Sequence, residues 1–166
     1  MYNKTKIDLL NRKLKTIDEL TNLDDLSNKS VAVLGGVYDL CHSGHLSLIA
    51  KAKEHADITI VAINSDESVK QLKGESRPII PEDDRAFFIA SLEFVDYVTI
   101  FNSTVIDEVL IAIQPKYFVK STDYHYDKMT QSEKDIFQQY NIQPLFIPLY
   151  KDYSTTSILA KLKDTI

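Results

Sequence analysis

The stretch Gly35-Gly36-Val37-Tyr38-Asp39-Leu40-Cys41-His42-Ser43-Gly44-His45 concentrates the reactive residue types of this chain. Two histidines three residues apart can ligate a metal, trade a proton, grip a phosphate, or do no chemistry. The apolar burst Val31–Leu34 precedes them and a helix-like stretch follows. A strand, a tight turn and a helix start are therefore expected there. The first turn of a helix exposes unpaired amides and a partial positive charge, which attract phosphate. Gly44 lets a bound group approach the backbone, and His42 and His45 can reach the same anion, both ring nitrogens donating when protonated. Neither a G-x-G-x-x-G fingerprint nor a G-K-[S/T] loop is present. Metal binding lacks a nearby third ligand beyond Asp39. A Cys41–His dyad lacks a visible orienting partner.

These residues need a scaffold that brings them to one rim. The runs Val31–Leu34, Ile58–Ile63, Tyr97–Phe101, Tyr117–Val119 and Leu145–Ile147 are short, β-rich and almost wholly apolar, as strands buried on both faces are. Helical segments separate them. One runs from Leu46 to about His55 and one follows Pro81, with Glu82, Asp83 and Asp84 at its positive end. Thr104 is expected to cap a helix ending at Ile113. "TQSE" from Thr130 reads as a capping box for a helix to about Tyr140, and Ser154 is expected to cap a last helix to about Lys163. Strands alternating with helices predict an α/β fold, a Rossmann-like doubly wound parallel sheet of five strands. Before it, Ile7, Leu10, Leu14, Ile17 and Leu20 recur on one helical face, and "TIDE" from Thr16 is a second capping box. Residues 1–28 are thus expected as an N-terminal helical extension and 29–166 as one compact domain.

Such sheets bind ligands beyond the carboxyl ends of their strands, where strand order reverses. Gly35–His45, Asn64–Asp66, Lys120–Tyr124 and Tyr150–Thr156 all follow predicted strands. Tyr153-Ser154-Thr155-Thr156-Ser157 offers hydroxyls and free amides at a helix start, a second anion cradle. Net charge is −5, so no bulk attraction to nucleic acid or to an anionic membrane surface is expected. The single cysteine excludes an internal disulfide and fits a reducing cytoplasm. No run reaches the roughly 18 apolar residues of a membrane span.

Gly36-Val37-Tyr38-Asp39-Leu40-Cys41-His42-Ser43-Gly44-His45 resembles the G-x-[FY]-D-x-x-H-x-G-H signature of the cytidylyltransferase-like nucleotidyltransferases. Asn64–Arg85, with "LKGESRPI" at its centre, then "EFVDYVTIF" and "YSTTSI", is similar to the adenylyltransferases that make ADP-heptose from ATP and D-glycero-β-D-manno-heptose 1-phosphate. The resemblance runs from about Thr16 to the C-terminus. It implies transfer of AMP to a sugar phosphate with release of pyrophosphate, catalysed by positioning and charge stabilisation. It implies catalytic roles for His42, His45, Lys73 and Arg85. It places Gly36, Val37, Tyr38, Gly44, Lys120, Asp123, Ser154, Thr155 and Thr156 on the nucleotide, and Asp39, Asp66 and Arg77 by the acceptor. Mg²⁺ would come with ATP, held largely by phosphates and water and needing few protein ligands. A homodimer and a separate sugar kinase supplying the acceptor fit the same family.

The chain departs from the family at Val37, where Cys or Thr is usual, and at Tyr38, where Phe is. It departs again at Ser121-Thr122, where a glycine-bearing loop borders the base. Two alternatives follow: a cytidylyltransferase for a polyol or amino-alcohol phosphate, and a nucleotide-binding protein without catalysis. A class I aminoacyl-tRNA synthetase shares the histidine turn, but this chain is short for one, acidic, and lacks a K-M-S-K-S-like loop.

Overall fold

The computed structural model describes residues 4–122, 124, 126–148 and 158. Five strands, β1 (Val31–Gly36), β2 (Ile58–Asn64), β3 (Tyr97–Phe101), β4 (Tyr117–Ser121) and β5 (Gln143–Ile147), form one sheet in the order β3-β2-β1-β4-β5. Every pairing is parallel. The doubly wound expectation is met. Order reverses at β1, between β2 and β4, so the crevice opens above Gly36 and Ser121.

Alternation along β1 divides the core. Val31 and Val33 face one side with Ile58, Ile60 and Phe118; Ala32 and Leu34 face the other with Val61, Ile63 and Val119. Helix α3 (Ser43–His55) covers the second side with Ile49 and Ala52, and α5 (Glu82–Ala90) covers it with Ala86, Ile89 and Ala90. Helices α6 (Asp107–Ile113) and α7 (Gln131–Tyr140) cover the first side with Val109, Leu110, Ile136 and Phe137. Burial of these aliphatic and aromatic side chains, worth about 1.5–3 kcal/mol each, drives the layering.

Three helix starts differ from the sequence expectation. Helix α3 begins at Ser43, not Leu46, because His42 caps it. Helix α4 (Asp66–Lys73) was unforeseen; its only apolar residues, Val69 and Leu72, leave too weak a period to read, yet Ser65 caps it firmly by accepting the Ser68 amide. Thr104 does not cap α6. The helix starts two residues later, after Ile106, without a side-chain cap, while the Ser103 hydroxyl takes the Val105 amide. The capping boxes at Thr16 and Thr130 both form. The helix expected after Ser154 lies outside the described residues.

Residues 4–30 make not one amphipathic face but two α-helices, α1 (Lys4–Lys13) and α2 (Ile17–Thr21), the second starting where the box at Thr16 predicts. Between them Leu14 pairs with Val98 in parallel, and the Lys15 amide donates to the Val98 carbonyl at 2.9 Å. That contact covers the β3 edge, which would otherwise present unpaired backbone. Ile7 is 47% exposed, and Lys6 is buried instead, paired with Asp84 on α5 at 2.5 Å and lying 5.0 Å over the Phe87 ring. The Lys13 ammonium donates to the carbonyls of Leu92 and Val95. Among the described residues no helix is long and apolar enough to cross a membrane.

Candidate active site

β1 carries the chain to the switch point. A Cβ on Gly35 would sit 2.2 Å from Cδ1 of Ile106, so a side-chain-free residue lets β1 pass under the β3–α6 loop. Tyr38 then takes a left-handed φ of 54°, a conformation that non-glycine residues rarely adopt. Its buried ring lies against Gly36 and 5.1 Å from the His45 ring.

The two histidines build the start of α3. His42 is extended and its Nδ1 accepts the Gly44 amide at 3.2 Å; the His42 amide points back to His45 Nδ1 at 3.4 Å. This is a capping box made of imidazoles, where the usual cap is a hydroxyl or carboxylate. With both Nδ1 atoms accepting, the network assigns the ring hydrogens to Nε2. Burial lowers the pKa of His42. Burial first, then the neighbouring His42, pushes His45 down to about 4. Both rings are therefore neutral at pH 7. Each keeps one Nε2–H donor at the positive end of a helix whose Gly44 amide is taken by His42 Nδ1 and whose His45 and Leu46 amides are taken by the His42 carbonyl.

A second network braces the turn. The carboxylate of buried Asp39 accepts the amides of Ile79 and Ile80 at 2.9–3.0 Å and Arg77 Nε at 2.6 Å. Burial opposes its charge; those amides and the Arg77 guanidinium outweigh burial and hold its pKa below the ordinary value. Arg85 is 1% exposed. It donates to the Ile80 carbonyl at 2.9 Å, the Val37 carbonyl at 2.6 Å and Asp66 Oδ1 at 2.7 Å. Glu82 in turn accepts the Asp66 amide at 2.5 Å.

Two hollows flank Gly35–Gly36. One of about 310 Å³ is lined by Tyr38, His45, Leu48, Lys120, Ser121 and Tyr124. The other, about 330 Å³, is lined by Val37, Asn64, Lys73, Lys120, Tyr124 and Glu133. Lys120 and Tyr124 belong to both. The Lys120 ammonium lies 4.5 Å over the Tyr124 ring and 5.2 Å over Phe118, and burial lowers its pKa while Glu133 raises it. The Tyr124 hydroxyl donates to Glu133 at 2.7 Å.

The structure thus gathers Gly36, Val37, Tyr38, His45, Lys73 and Lys120 around the crevice, with His42 and Gly44 at its helix start. It gathers Asp39, Asp66, Arg77 and Arg85 into the bracing network. Asp123, Ser154, Thr155 and Thr156 lie outside the described residues. Cys41 is no ready nucleophile: burial pushes its thiol up to about 12, and Sγ donates to the Tyr38 carbonyl. Glu133 and Ile106 escaped the sequence reading. Glu133 looked like a helix cap alone, and nothing local shows that Ile106 meets Gly35. Among the described residues no three His, Cys, Asp or Glu side chains converge to hold a metal.

The profile of the cytidylyltransferase-like family matches residues 33–161. The chain belongs to that family. The family match and the relatives that follow make it a nucleotidyltransferase. The bifunctional protein HldE of Campylobacter concisus is 39% identical over 153 residues, covering 92% of this chain and 31% of that protein. HldE of Helicobacter pylori strain P12 is 39% identical over 143 residues, covering 86% and 30%. The nucleotidyltransferase therefore spans about a third of the length of these relatives. Its fold is that of a lipopolysaccharide core biosynthesis protein from Thermoplasma volcanium, with a TM-score of 0.62 at 22% identity, covering 75% of this chain and all of that one. A pantoate–β-alanine ligase from Francisella tularensis gives a TM-score of 0.63 at 16% identity, covering 92% and 77%.

Proposed function

We propose that this nucleotidyltransferase moves AMP from Mg·ATP to a sugar 1-phosphate, D-glycero-β-D-manno-heptose 1-phosphate, giving ADP-heptose and pyrophosphate. The observation that supports the transfer is the imidazole capping box, which ties both Nδ1 atoms to the backbone and leaves two neighbouring rings, 4.0 Å apart, each with an Nε2–H to donate. The choice of acceptor rests on the similarity to HldE over 92% of the chain and on the run Asn64–Arg85.

The acceptor phosphate is already ionised at neutral pH, so no strong general base is needed. One of its oxygens attacks the α-phosphorus of ATP. A new P–O bond forms, the bond from the α-phosphorus to the α–β bridging oxygen breaks, and pyrophosphate leaves with that oxygen and its electron pair. His42 and His45 donate to oxygens whose charge grows in the transition state. Lys120, between the hollows, and Lys73, on the second, supply positive charge. Ser154, Thr155 and Thr156 provide a second anion cradle, and Asp123 borders the nucleotide. Mg²⁺ arrives as part of Mg·ATP, coordinated by phosphates and water. We place the enzyme in the cytoplasm, acting downstream of a separate sugar kinase and as a homodimer.

Four nucleoside triphosphates tested against heptose 1-phosphate and several polyol and amino-alcohol phosphates, with pyrophosphate release as readout, decide the reading. ATP with the heptose 1-phosphate is expected to be the best pair. CTP with a polyol phosphate winning would transfer the chain to the cytidylyltransferase alternative. Nucleotide binding without release from any acceptor would make it a non-catalytic binder.

A further inference from the structure

The resemblance gives Arg85 a catalytic role, yet its surroundings suit another task. It is 1% exposed, and three of the five N–H donors of its guanidinium go to protein oxygens of three different segments. The hollow it borders is lined by Tyr38, Leu40, Cys41, Ile80 and Phe88, and that lining includes neither His45, Lys73 nor Lys120. A group that clamps phosphate must reach the hollows flanking Gly35–Gly36.

We propose that Arg85 is a positioning residue for nucleotidyl transfer, fixing the β1–α3 turn and the start of α4 in one register so that the histidine turn and Lys73 keep their places on either side of Gly35–Gly36. This inference rests on the nucleotidyl-transfer reading above. Three links carry it. The bond to the Val37 carbonyl, at 2.6 Å, restrains the residue before Tyr38. Tyr38 holds a left-handed φ that persists only where its surroundings impose it, and its ring lies beside that of His45. The bond to Asp66 holds the first residue of α4, and Lys73 is the last residue of that helix, so the rigid helix passes the constraint on. The bond to the Ile80 carbonyl locks the same loop whose amides Asp39 holds. A planar fork reaches all three acceptors at once; a lysine ammonium on a flexible stem does not replace it.

The test compares wild type with Arg85→Lys, which keeps the charge and loses the fork, and with Asp66→Asn, which removes the charge from one link only. For each, kcat and KM for Mg·ATP are measured well below the unfolding midpoint, with long-range ¹H–¹⁵N spectra of the histidine rings recorded without substrate. Arg85→Lys is expected to lose about 100-fold in kcat, as a misplacement of about 1 Å would cause, while KM for Mg·ATP stays within about threefold. The Nε2–H tautomer signals of His42 and His45 are expected to shift or broaden. Asp66→Asn should show the same pattern more weakly, and it decides the question if Arg85→Lys does not fold. A rise in KM with kcat unchanged would mean that Arg85 touches phosphate and would overturn the inference. So would unchanged kcat and ring spectra accompanied only by a lower unfolding midpoint. Should wild type turn over no acceptor, the transfer reading fails, whereas the ring spectra still report whether Arg85 sets the histidine turn.

Discussion

The rings of His42 and His45 stand 4.0 Å apart, centre to centre, tilted by 43°, and both turn Nδ1 to the backbone of the first turn of α3. One arrangement thereby does two jobs. It satisfies helix-start amides that would otherwise need water or a hydroxyl cap, and it fixes which ring nitrogen carries the hydrogen. The capping role and the phosphate role reside on opposite nitrogens of each ring, so substitution can separate them.

His45→Ala is expected to lower kcat by about 10²–10³, the loss typical of one transition-state donor. At His42 the two roles part. His42→Asn places a good cap at the same position and should fold as well as wild type while losing rate. His42→Ala should lose the rate and about 1 kcal/mol of stability as well. Pyrophosphate release and denaturant unfolding on the same samples measure both. Equal rates for His42→Asn and wild type would remove the ring from catalysis.

The depressed histidines set a pH dependence. An unfolded histidine titrates near pH 6.5, whereas burial and then His42 hold His45 at about 4 in the folded chain. As pH falls below about 6.5, the unfolded chain binds protons that the folded ring refuses. Its contribution to stability therefore declines as pH drops from about 6.5 to 4 and levels off below. Urea midpoints across that range should fall less steeply in His45→Gln. A bound triphosphate favours the charged ring, so ATP binding near pH 6 should take up protons. Calorimetry in two buffers of different ionisation heat reads that uptake directly; none in wild type would show that the rings do not face phosphate.

Much of this architecture was legible in the chain. Val31–Leu34 and Ile58–Ile63 read as buried strands because parallel strands are apolar on both faces, and the boxes at Thr16 and Thr130 are local signals four residues long. What stayed hidden is non-local or atypical. An imidazole is not among the usual cap types, so α3 seemed to start three residues late. The partners of Arg85 are mostly backbone carbonyls as many as 48 positions away, and carbonyls carry no sequence signal. The two kinds of cation looked alike in sequence, and burial separates them: Lys73 is exposed on a hollow, while Arg85 is enclosed.

Gly35→Ala tests the close approach beneath the crevice. The new methyl would meet Ile106 Cδ1 at 2.2 Å, the far end of a flexible side chain. Ile106 must turn away within a packed core, at a cost of about 1–3 kcal/mol. Adding Ile106→Val, which removes that methyl, should recover part of the loss. Chemical unfolding of the single and double variants checks the coupling. Additive effects would place the strain elsewhere.

Lys120 joins the two hollows, and its charge depends on Glu133. Burial works against the ammonium, and the Glu133 carboxylate works for it. The faces of Tyr124 and Phe118 add cation–π support. Lys120→Met should raise KM for Mg·ATP by about tenfold, or 1.4 kcal/mol, within the range of one desolvated charge contact. Glu133→Gln is the finer probe. Glutamine at the third helical position still closes the capping box with Thr130, so α7 should stay intact while its charge is removed. Without that carboxylate the Lys120 pKa falls further. If the charged lysine is needed, the alkaline limb of kcat/KM must move to lower pH in Glu133→Gln and vanish in Lys120→Met. An alkaline limb that stays put in both variants would assign it to another group and take Lys120 out of nucleotide binding.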